Sequence, residues 1–293
     1  MMDWSTWRQL GIAICFFSAG RLSTNLFWSD QVTESLTAYS LIKGDNFRPK
    51  CVASKLESGE ESPLECNDFL NDKSKCLKSK SQSGEEDTVR AAFGFGDKMG
   101  GTYVEIGGLD GELFSNTASL ATCQRWSGIM VEGSPINYGK LKTNVVAQKR
   151  SRVVAWNGAV CPPPIPHVEF IEFGAVGGDL GAMSEGFKKE WHPDGRQSVK
   201  VSCKPMSFYL TGVKHVDFFS LDVEGAELMV LETMDFTKIT IDVMIIETDQ
   251  HAPEKNWLVQ TFMRNVGMPE CTAHSVERSM LFVRKEFGVR YGC

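Results

Sequence analysis

The sequence predicts an α/β fold in which a mostly parallel sheet is covered by helices on both faces. From residue 102 onward, short apolar runs alternate with amphipathic stretches, as strands and helices do in such folds. Two of the apolar runs end near clustered carboxylates and lead into a tight turn and a helix-like pattern. Because ligands bind at the carboxyl ends of the strands in these sheets, the two acidic stretches favour an enzyme over a domain without a ligand site.

Seven apolar runs are predicted as strands, and four amphipathic stretches between them as helices. The predicted strands are residues 102–106, 128–132, 152–156, 168–173, 216–221, 239–247 and 279–284. The predicted helices are residues 113–124, 136–145, 226–234 and 255–266. Residues 174–195 interrupt the alternation as a loop-rich insertion, which either shapes a substrate pocket or is a plain surface loop.

The charge of the chain restricts its partners. With 31 basic and 37 acidic residues the net charge is -6. No basic stripe is visible that could neutralise phosphates, so the sequence predicts no nucleic-acid partner. Neutral, cationic and small-molecule partners remain open.

The first 22 residues predict a signal peptide or a short membrane anchor. Arg8 precedes an apolar run at residues 10–17, and the small residues at 18–20 suit signal cleavage. The run is shorter than the roughly 20 residues that a membrane-spanning helix needs. The alternative is the buried end of an amphipathic helix. On the first interpretation the protein enters the secretory pathway (the lumen of the endoplasmic reticulum or Golgi), where it is membrane-anchored or secreted.

Residues 23–95 predict a polar, cysteine-containing arm or stalk, and residues 96–293 predict the folded domain. Cys51, Cys66 and Cys76 fall where core-forming residues are few, so disulfides would replace missing hydrophobic stabilisation there. Setting aside Cys15 in the apolar run leaves an even number of cysteines. None of the nine cysteines forms a Cys-x-x-Cys pair, so no zinc site is predicted.

The first acidic stretch carries the residues of a cofactor loop. Glu105 ends the strand at residues 102–106, and Gly107, Gly108 and Gly111 follow it. These glycines let the backbone turn tightly and approach a ligand at the start of the next helix. A nicotinamide loop would read Gly-x-Gly-x-x-Gly, which this loop does not. An acid in that position suits a cationic ligand without phosphate, and S-adenosylmethionine, with its amino group and sulfonium, is such a ligand.

Glu132 supports the same cofactor. It ends the strand at residues 128–132, about 25 residues after Gly107. A carboxylate at this place in nucleotide-binding folds accepts both ribose hydroxyls.

The second acidic stretch, Leu221-Asp-Val-Glu-Gly-Ala-Glu227, offers candidates for proton transfer. Methyl transfer to a hydroxyl needs a nearby proton acceptor, and the catalytic candidates are Asp222, Glu224 and His251. Glu224 and Glu227 could instead complement the dipole of the following helix, which is the favoured interpretation for Glu227. A divalent cation held by Asp222, Glu224 and Glu247 is the less favoured alternative, and no metal is predicted.

Three segments together resemble the FkbM-type S-adenosylmethionine-dependent methyltransferases. They are residues 103–117, 131–141 and 217–231, and the most specific part is the stretch that ends at Glu227. The resemblance runs from about residue 102 to 284 and does not cover the first hundred residues. It implies a class I methyltransferase fold, with a Rossmann-like, mostly parallel seven-stranded sheet, and O-methylation of hydroxyls on sugars or polyketides.

The resemblance also implies roles for individual residues in cofactor binding. The methionine end of the cofactor would be lined by Glu105, Gly107, Gly108 and Gly111, and its ribose would be held by Glu132. The adenine would lie near Asn157 and Gly158, and the transferable methyl group beside Asp222. The loop would be organised by Asp110 and Asn116, which would touch the cofactor through water.

The leading hypothesis is therefore an S-adenosylmethionine-dependent methyltransferase that acts on a hydroxyl of a glycan or a small metabolite. One alternative is a catalytically inactive descendant that serves as an interaction or trafficking module in the secretory pathway. Another is a different nucleotide-dependent α/β enzyme, such as a dehydrogenase, which the missing glycine pattern disfavours. No motif identifies the acceptor or the oligomeric state.

Overall fold

The computed structural model describes residues 77–148, 150 and 152–293. Ten strands are present in this part of the chain: β1 (Thr102–Ile106), β2 (Ser127–Glu132), β3 (Val153–Asn157), β4 (Ala159–Val160), β5 (His167–Ile171), β6 (Gly178–Asp179), β7 (Ser198–Lys204), β8 (His215–Leu221), β9 (Thr240–Glu247) and β10 (Ser279–Val283). The α-helices are α1 (Glu85–Ala92), α2 (Ala118–Cys123), α3 (Pro135–Ala147), α4 (Glu185–Trp191), α5 (Met206–Tyr209), α6 (Glu227–Glu232), α7 (Pro253–Asn265) and α8 (Lys285–Gly288). Short 3₁₀ turns cover Gly174–Val176 and Val289–Tyr291.

The main sheet has six strands in the order β10-β9-β8-β1-β2-β3. All neighbours are parallel except β10, which runs antiparallel to β9. From β1 the chain builds the sheet outwards in one direction and, from β8, in the other, so the loops that follow these two strands diverge. The crevice between such loops is where α/β sheets bind their ligands. The predicted class, a mostly parallel Rossmann-like α/β sheet, is confirmed.

The number of strands in this sheet differs from the prediction. The run at residues 168–173 does not join the main sheet; it forms β5 in a second sheet of the order β4-β7-β5-β6. Residues along β5 alternate between exposed and buried, which suits an antiparallel strand with one face in solvent and not a strand covered on both faces. Its partner β7 was not predicted as a strand, because lysine and serine alternate there with the apolar residues and no continuous apolar run results.

Helices cover both faces of the main sheet. Successive residues of β1 point to opposite sides, so Val104 and Ile106 pack in one core cluster and Tyr103 in the other. Residues of α5, α6 and α7 pack with the first cluster, and residues of α1, α2 and α3 pack with the second. The two faces of the sheet are thus covered, and the carboxyl ends of its strands are left for a ligand site.

The folded domain extends further towards the amino terminus than residue 96, the predicted boundary. Val89, Phe93 and Phe95 are fully buried in the second core cluster. The carboxylate of Glu86 accepts a 2.7 Å hydrogen bond from the backbone N–H of Leu120. The acidic start of α1 resembles a polar arm in composition, but its apolar side belongs to the core.

The predicted signal peptide or anchor and the arm cysteines lie outside the described residues. Within the described part of the chain, no helix has the length and apolar character needed to cross a membrane. Two disulfides are present there: Cys161–Cys203 joins the second sheet to the segment after β4, and Cys271–Cys293 joins the carboxyl terminus to the segment before β10. Cys123 is not disulfide-bonded.

A cluster of ion pairs lies near the amino-terminal ends of β8 and β9, at the side of the sheet away from the carboxyl ends of the strands. His215 Nε2 lies 2.9 Å from Asp242 Oδ2, and Arg284 also pairs with Asp242, at 2.8 Å. Asp217 pairs with Lys98. The hydrogen bond with Asp242 raises the pKa of His215 above its ordinary value of 6.5.

Replacing His215 by glutamine is expected to destabilise the protein in acid and to have little effect in alkali. A group with a raised folded-state pKa stabilises the fold fully below its unfolded pKa, about 6.5, and this contribution is lost as pH rises through the folded value. Calorimetric unfolding temperatures of both proteins, measured from about pH 5.5 to 8.5, test this expectation. A difference that stays constant over that range would contradict it.

Candidate active site

The loop after β1 is built around Gly107. Its φ of 84° lies in the left-handed region, and a Cβ atom built there would lie 1.7 Å from the carbonyl oxygen of Asp222. The backbone N–H groups of Gly107 and Gly108 donate to the carbonyl of Val131, and the N–H of Asp222 donates to the carbonyl of Ile106. Only glycine fits this approach, so the loop ties the ends of β1, β2 and β8 together.

Glu132 joins the loops after β1 and β2. Its Oε2 accepts a 2.8 Å hydrogen bond from the N–H of Leu109, and its Oε1 accepts a 2.7 Å bond from the N–H of Ser134. Burial raises the pKa of Glu132 to about 7, although both backbone N–H groups oppose the shift. Each oxygen of the carboxylate retains a second lone pair, so the side chain can accept two further hydrogen bonds from a ligand.

Glu105 differs from its predicted role. The side chain is buried and does not line the cavity; its carboxylate accepts hydrogen bonds from the N–H of Asn116 and from the hydroxyls of Ser115 and Thr117, at 2.6 to 3.0 Å. Glu105 thus holds the loop that leads into α2. Burial raises its pKa, against the effect of these bonds.

Asp110 and Asn116 organise the loop, as predicted, but neither lines the main cavity. Asp110 Oδ1 accepts from the N–H groups of Glu112 and Leu113. Asn116 Nδ2 donates to Ser220 Oγ at 2.9 Å, and Asn116 borders a smaller neighbouring cavity. A contact with the cofactor through water stays a prediction for both.

The two residues predicted near the adenine have different placements. Gly158 lines the cavity, and a Cβ there would lie 2.5 Å from the hydroxyl oxygen of Tyr209. Asn157 does not line the cavity, because its Nδ2 donates to the carbonyls of Glu132 and Gly133. Asn157 therefore fixes the end of β2 beside β3.

Three carboxylates gather where β8 and β9 end. Oxygen atoms of Asp222, Glu224 and Glu247 all lie within 4.8 Å of one another, a spacing that could hold a cation. Burial raises the pKa of all three, and repulsion by the neighbouring acids adds to the rise for Glu247 and for Glu224, whose pKa reaches about 9. A hydrogen bond with Glu247 opposes the rise for Asp222. Arg278, whose Nη2 lies 3.7 Å from Glu247 Oε1, supplies partial compensation. This excess of negative potential suits a positively charged ligand.

These groups line one cavity of about 280 Å³, near the lower end of the roughly 300–1,000 Å³ that ligand pockets span. The glycine loop and the three carboxylates both line it. The insertion at residues 174–195 supplies a wall, so it shapes the pocket and is not a plain surface loop. The insertion residues that line the cavity are Gly174, Ala175, Val176, Gly177, Gly178, Asp179, Phe187 and Trp191.

Two sequence candidates lie beside the cavity and not in it. His251 borders an adjoining groove, and its Nε2 lies 3.0 Å from Glu190 Oε2. Glu227 accepts from the N–H groups of Val223 and Gly225, so it fixes the turn before α6, consistent with its favoured structural interpretation.

Sequence reasoning missed Arg278, Asp179 and Trp191 as cavity residues. Arg278 lies in the segment before β10, and the other two lie in the insertion, where no motif marks them. An arginine directly before a strand is too common a pattern to identify a site. Arg278 also has a positive φ of 61°, an unusual backbone conformation for arginine, but this is visible only in the structure.

The sequence matches the Methyltransferase FkbM domain over residues 105–288, more than half of the chain. The chain belongs to the FkbM methyltransferase family. It is therefore an S-adenosylmethionine-dependent methyltransferase by family and fold. No curated protein sequence matches it significantly.

Solved structures resemble this FkbM methyltransferase weakly. The methyltransferase FkbM from Methylobacillus flagellatus KT is 14% identical, with a TM-score of 0.38, and the match covers 62% of this chain but only 43% of that one. An S-adenosylmethionine-dependent methyltransferase from Aquifex aeolicus is 12% identical, with a TM-score of 0.37, and the match covers 70% and 94%. Precorrin-6y C5,15-methyltransferase from Geobacter metallireducens GS-15 is 8% identical, with a TM-score of 0.39, and the match covers 71% and 90%.

The residues of this FkbM methyltransferase fit the cofactor. Gly107 and Gly158 line the cavity, and a side chain at either position would collide with Asp222 or Tyr209. Glu132 could accept hydrogen bonds from ribose hydroxyls with its two oxygen atoms, and the three carboxylates, which line the same cavity, would offset the positive charges of the amino group and sulfonium. S-adenosylmethionine supplies an electrophilic methyl group on a positively charged sulfur.

Proposed function

We propose that the protein methylates a hydroxyl group of a glycan or a small metabolite, within the secretory pathway. The observation that carries the proposal is the cluster of Asp222, Glu224 and Glu247, which lines the same cavity as Glu132. A hydroxyl becomes a good nucleophile only when its proton has an acceptor, and this cluster supplies one beside the cofactor cavity.

Asp222 is the proposed proton acceptor. It lies directly opposite Gly107, and burial raises its pKa above the ordinary 3.8, which makes it a stronger base. Glu224, with a pKa of about 9, retains its proton at neutral pH, as does Glu247. The carboxylate of Asp222 would take the hydroxyl proton while the oxygen bonds to the methyl carbon and the carbon–sulfur bond breaks.

Positioning accounts for much of the expected acceleration. Methyl transfer is an in-line displacement, and a fixed approach of about 3 Å between nucleophile and methyl carbon removes most of the entropic barrier. The glycine loop, Glu132 and the insertion all line the cavity, so they are the elements that would fix the two reactants relative to each other.

The disulfides support a place in the secretory pathway. Disulfides persist in oxidising compartments and are rare in the cytosol. Cys161–Cys203 and Cys271–Cys293 both join segments of the folded domain. This agrees with the apolar run at residues 10–17, which predicts entry into that pathway or attachment to its membrane.

Asp222→Asn is expected to lower kcat by about 100- to 10,000-fold, the usual contribution of a positioned acid or base. Binding of S-adenosylmethionine should change only a few-fold, because the glycine loop and Glu132 are untouched. The assay transfers an isotopically labelled methyl group to a panel of sugars and hydroxylated metabolites, and carbon NMR of the product identifies the atom that carries it.

Asp235→Asn is the matched control, since Asp235 is an acid in an exposed turn that bonds to Thr237 and Lys238 and lines no described cavity. A labelled methyl group found on nitrogen or carbon would refute O-methylation. Full activity of Asp222→Asn would refute the role of Asp222 as the base.

A further inference from the structure

A side groove lies beside the cofactor cavity, between α4 and the segment after β9. Its volume is about 110 Å³. Five residues line both the groove and the cavity: Phe187, Trp191, Glu224, Glu247 and Arg278. The two spaces therefore share a wall, which includes two of the three clustered carboxylates, Glu224 and Glu247. A molecule in the groove would have its near end at these two carboxylates.

The walls of the groove are fastened to each other. Glu190 on α4 contacts His251 across the groove, at 3.0 Å between Oε2 and Nε2. Asp249 is held by Asn256 of α7, which exchanges two hydrogen bonds with its backbone. Lys255 donates to the carbonyls of Ala182 and Gly225. The groove is thus a formed site in the absence of a ligand, as binding sites for small molecules generally are.

The lining combines an aromatic surface with hydrogen-bond acceptors. Trp191 is 39% exposed, although a large apolar side chain gains from burial, and Phe187 lies beside it. Glu190, Asp249 and Gln250 line the same groove, and Asp249 Oδ2 has no hydrogen-bond partner. A sugar ring has both complementary features: a C–H face that packs on an aromatic ring and hydroxyls that donate to carboxylates and amides.

The charges of the groove disfavour an anion. Of the four acids that line it, Glu224 and Glu247 have raised pKa values, so Glu190 and Asp249 supply the negative charge. Both basic side chains in the lining already have acidic neighbours: Arg278 lies beside the cluster of Asp222, Glu224 and Glu247, where it opposes the rise in the pKa of Asp222, and His251 pairs with Glu190. An acceptor carboxylate or phosphate would face like charge without an available cation among the lining residues, which costs affinity.

We infer that this groove is the acceptor subsite and that it selects an uncharged sugar, stacked on Trp191, over anionic sugars. The inference rests on the proposed O-methylation, and it names the substrate class and a specificity residue for it. The hydroxyl to be methylated belongs to the end of the sugar that reaches Asp222.

The test measures binding separately from methyl transfer. Saturation-transfer NMR of the full-length chain with S-adenosylhomocysteine would use methyl glycosides of glucose, galactose, mannose and fucose. Matched glycosides of uronic acids and of amino sugars vary the charge. We expect a neutral glycoside to bind and its uronic acid counterpart to bind about tenfold more weakly or not at all.

Trp191 variants test the stacking surface. Trp191→Ala is expected to weaken binding of the neutral glycoside about tenfold, and Trp191→Phe should restore most of it. Trp257→Ala is the control, because Trp257 is 61% exposed on α7 and lines neither space. Because Trp191 also lines the cofactor cavity, each variant is titrated separately with S-adenosylhomocysteine, and Trp257→Ala should bind it as the unaltered protein does.

Each contrary outcome has one meaning. If the cofactor product binds but no neutral glycoside does, or if uronic acids or amino sugars bind better, the inference is wrong and the methyltransferase assignment stands. If a neutral glycoside binds equally well to Trp191→Ala, the subsite is wrong. If it binds through Trp191 but the labelled-methyl assay shows no transfer to it, the groove stands and the proposed reaction on that sugar fails.

Discussion

Gly107→Ala is expected to abolish cofactor binding and to destabilise the fold. A Cβ atom there would lie 1.7 Å from the carbonyl oxygen of Asp222, and the neighbour is backbone that cannot rotate away. The φ of 84° adds strain for any residue with a side chain. Separating β1 from β8 to relieve the overlap would break the N–H bond of Asp222 to Ile106. We expect a loss of stability on the order of 3 kcal/mol, within the range of severe single substitutions.

Gly139→Ala provides the matched comparison for Gly107→Ala. Gly139 lies inside α3, and a Cβ there would meet nothing within 4 Å. Alanine in a helix interior is more favourable than glycine by about 0.5–1 kcal/mol, so this variant should gain stability. Chemical denaturation and cofactor titration of both variants check the pair. Equal behaviour of the two variants would contradict the steric argument.

Glu132→Ala is expected to weaken S-adenosylmethionine binding by about 100-fold or more. Hydrogen bonds to a charged group contribute about 1.5–3 kcal/mol each, and two ribose hydroxyls would lose theirs. The substitution also removes the acceptor of the Leu109 and Ser134 N–H groups, so the two loops lose their connection. Both effects act on the same end of the cavity.

Two controls separate ribose binding from loop order. Glu132→Gln keeps an oxygen for one backbone N–H and loses the charge, so an intermediate affinity is expected. Glu254→Ala removes an exposed acid of α7 that lines no described cavity, and its affinity should match that of the unaltered protein. Isothermal calorimetry gives all the affinities, and an unchanged affinity in Glu132→Ala would refute the ribose assignment.

The sequence predicted the main strands and the glycine loop because both follow from local patterns. The apolar runs that became β1, β2, β8 and β9 are buried on both faces, so they read continuously in the sequence. Gly107 immediately follows one such run, and Glu132 ends another. The parallel sheet then brings both to one edge, whatever the details of the loops.

The direction of the Glu105 side chain was not predicted, because it depends on partners that come ten residues later. Ser115, Asn116 and Thr117 all donate to this carboxylate. A strand residue next to the loop can face the ligand or the opposite side, and alternation along β1 places Glu105 on the side of Tyr103. The position of the acid was recognised, but its side was decided by tertiary contacts.

The second sheet and the groove depend on contacts between segments that are distant in the sequence. β5 pairs with β7 across the insertion, and Arg278 meets Glu247 from the segment before β10. No local pattern specifies such pairings. The start of the domain was missed for a different reason: the acidic residues of α1 conceal its buried side, which includes Val89.

Calorimetric titration of the full-length protein with S-adenosylmethionine, beside NAD, is the decisive measurement for the cofactor. We expect micromolar binding of S-adenosylmethionine with one site per chain, and no binding of NAD, whose pyrophosphate would lie against the acidic cavity. Well-folded protein that binds NAD, or that binds neither compound, would contradict this expectation.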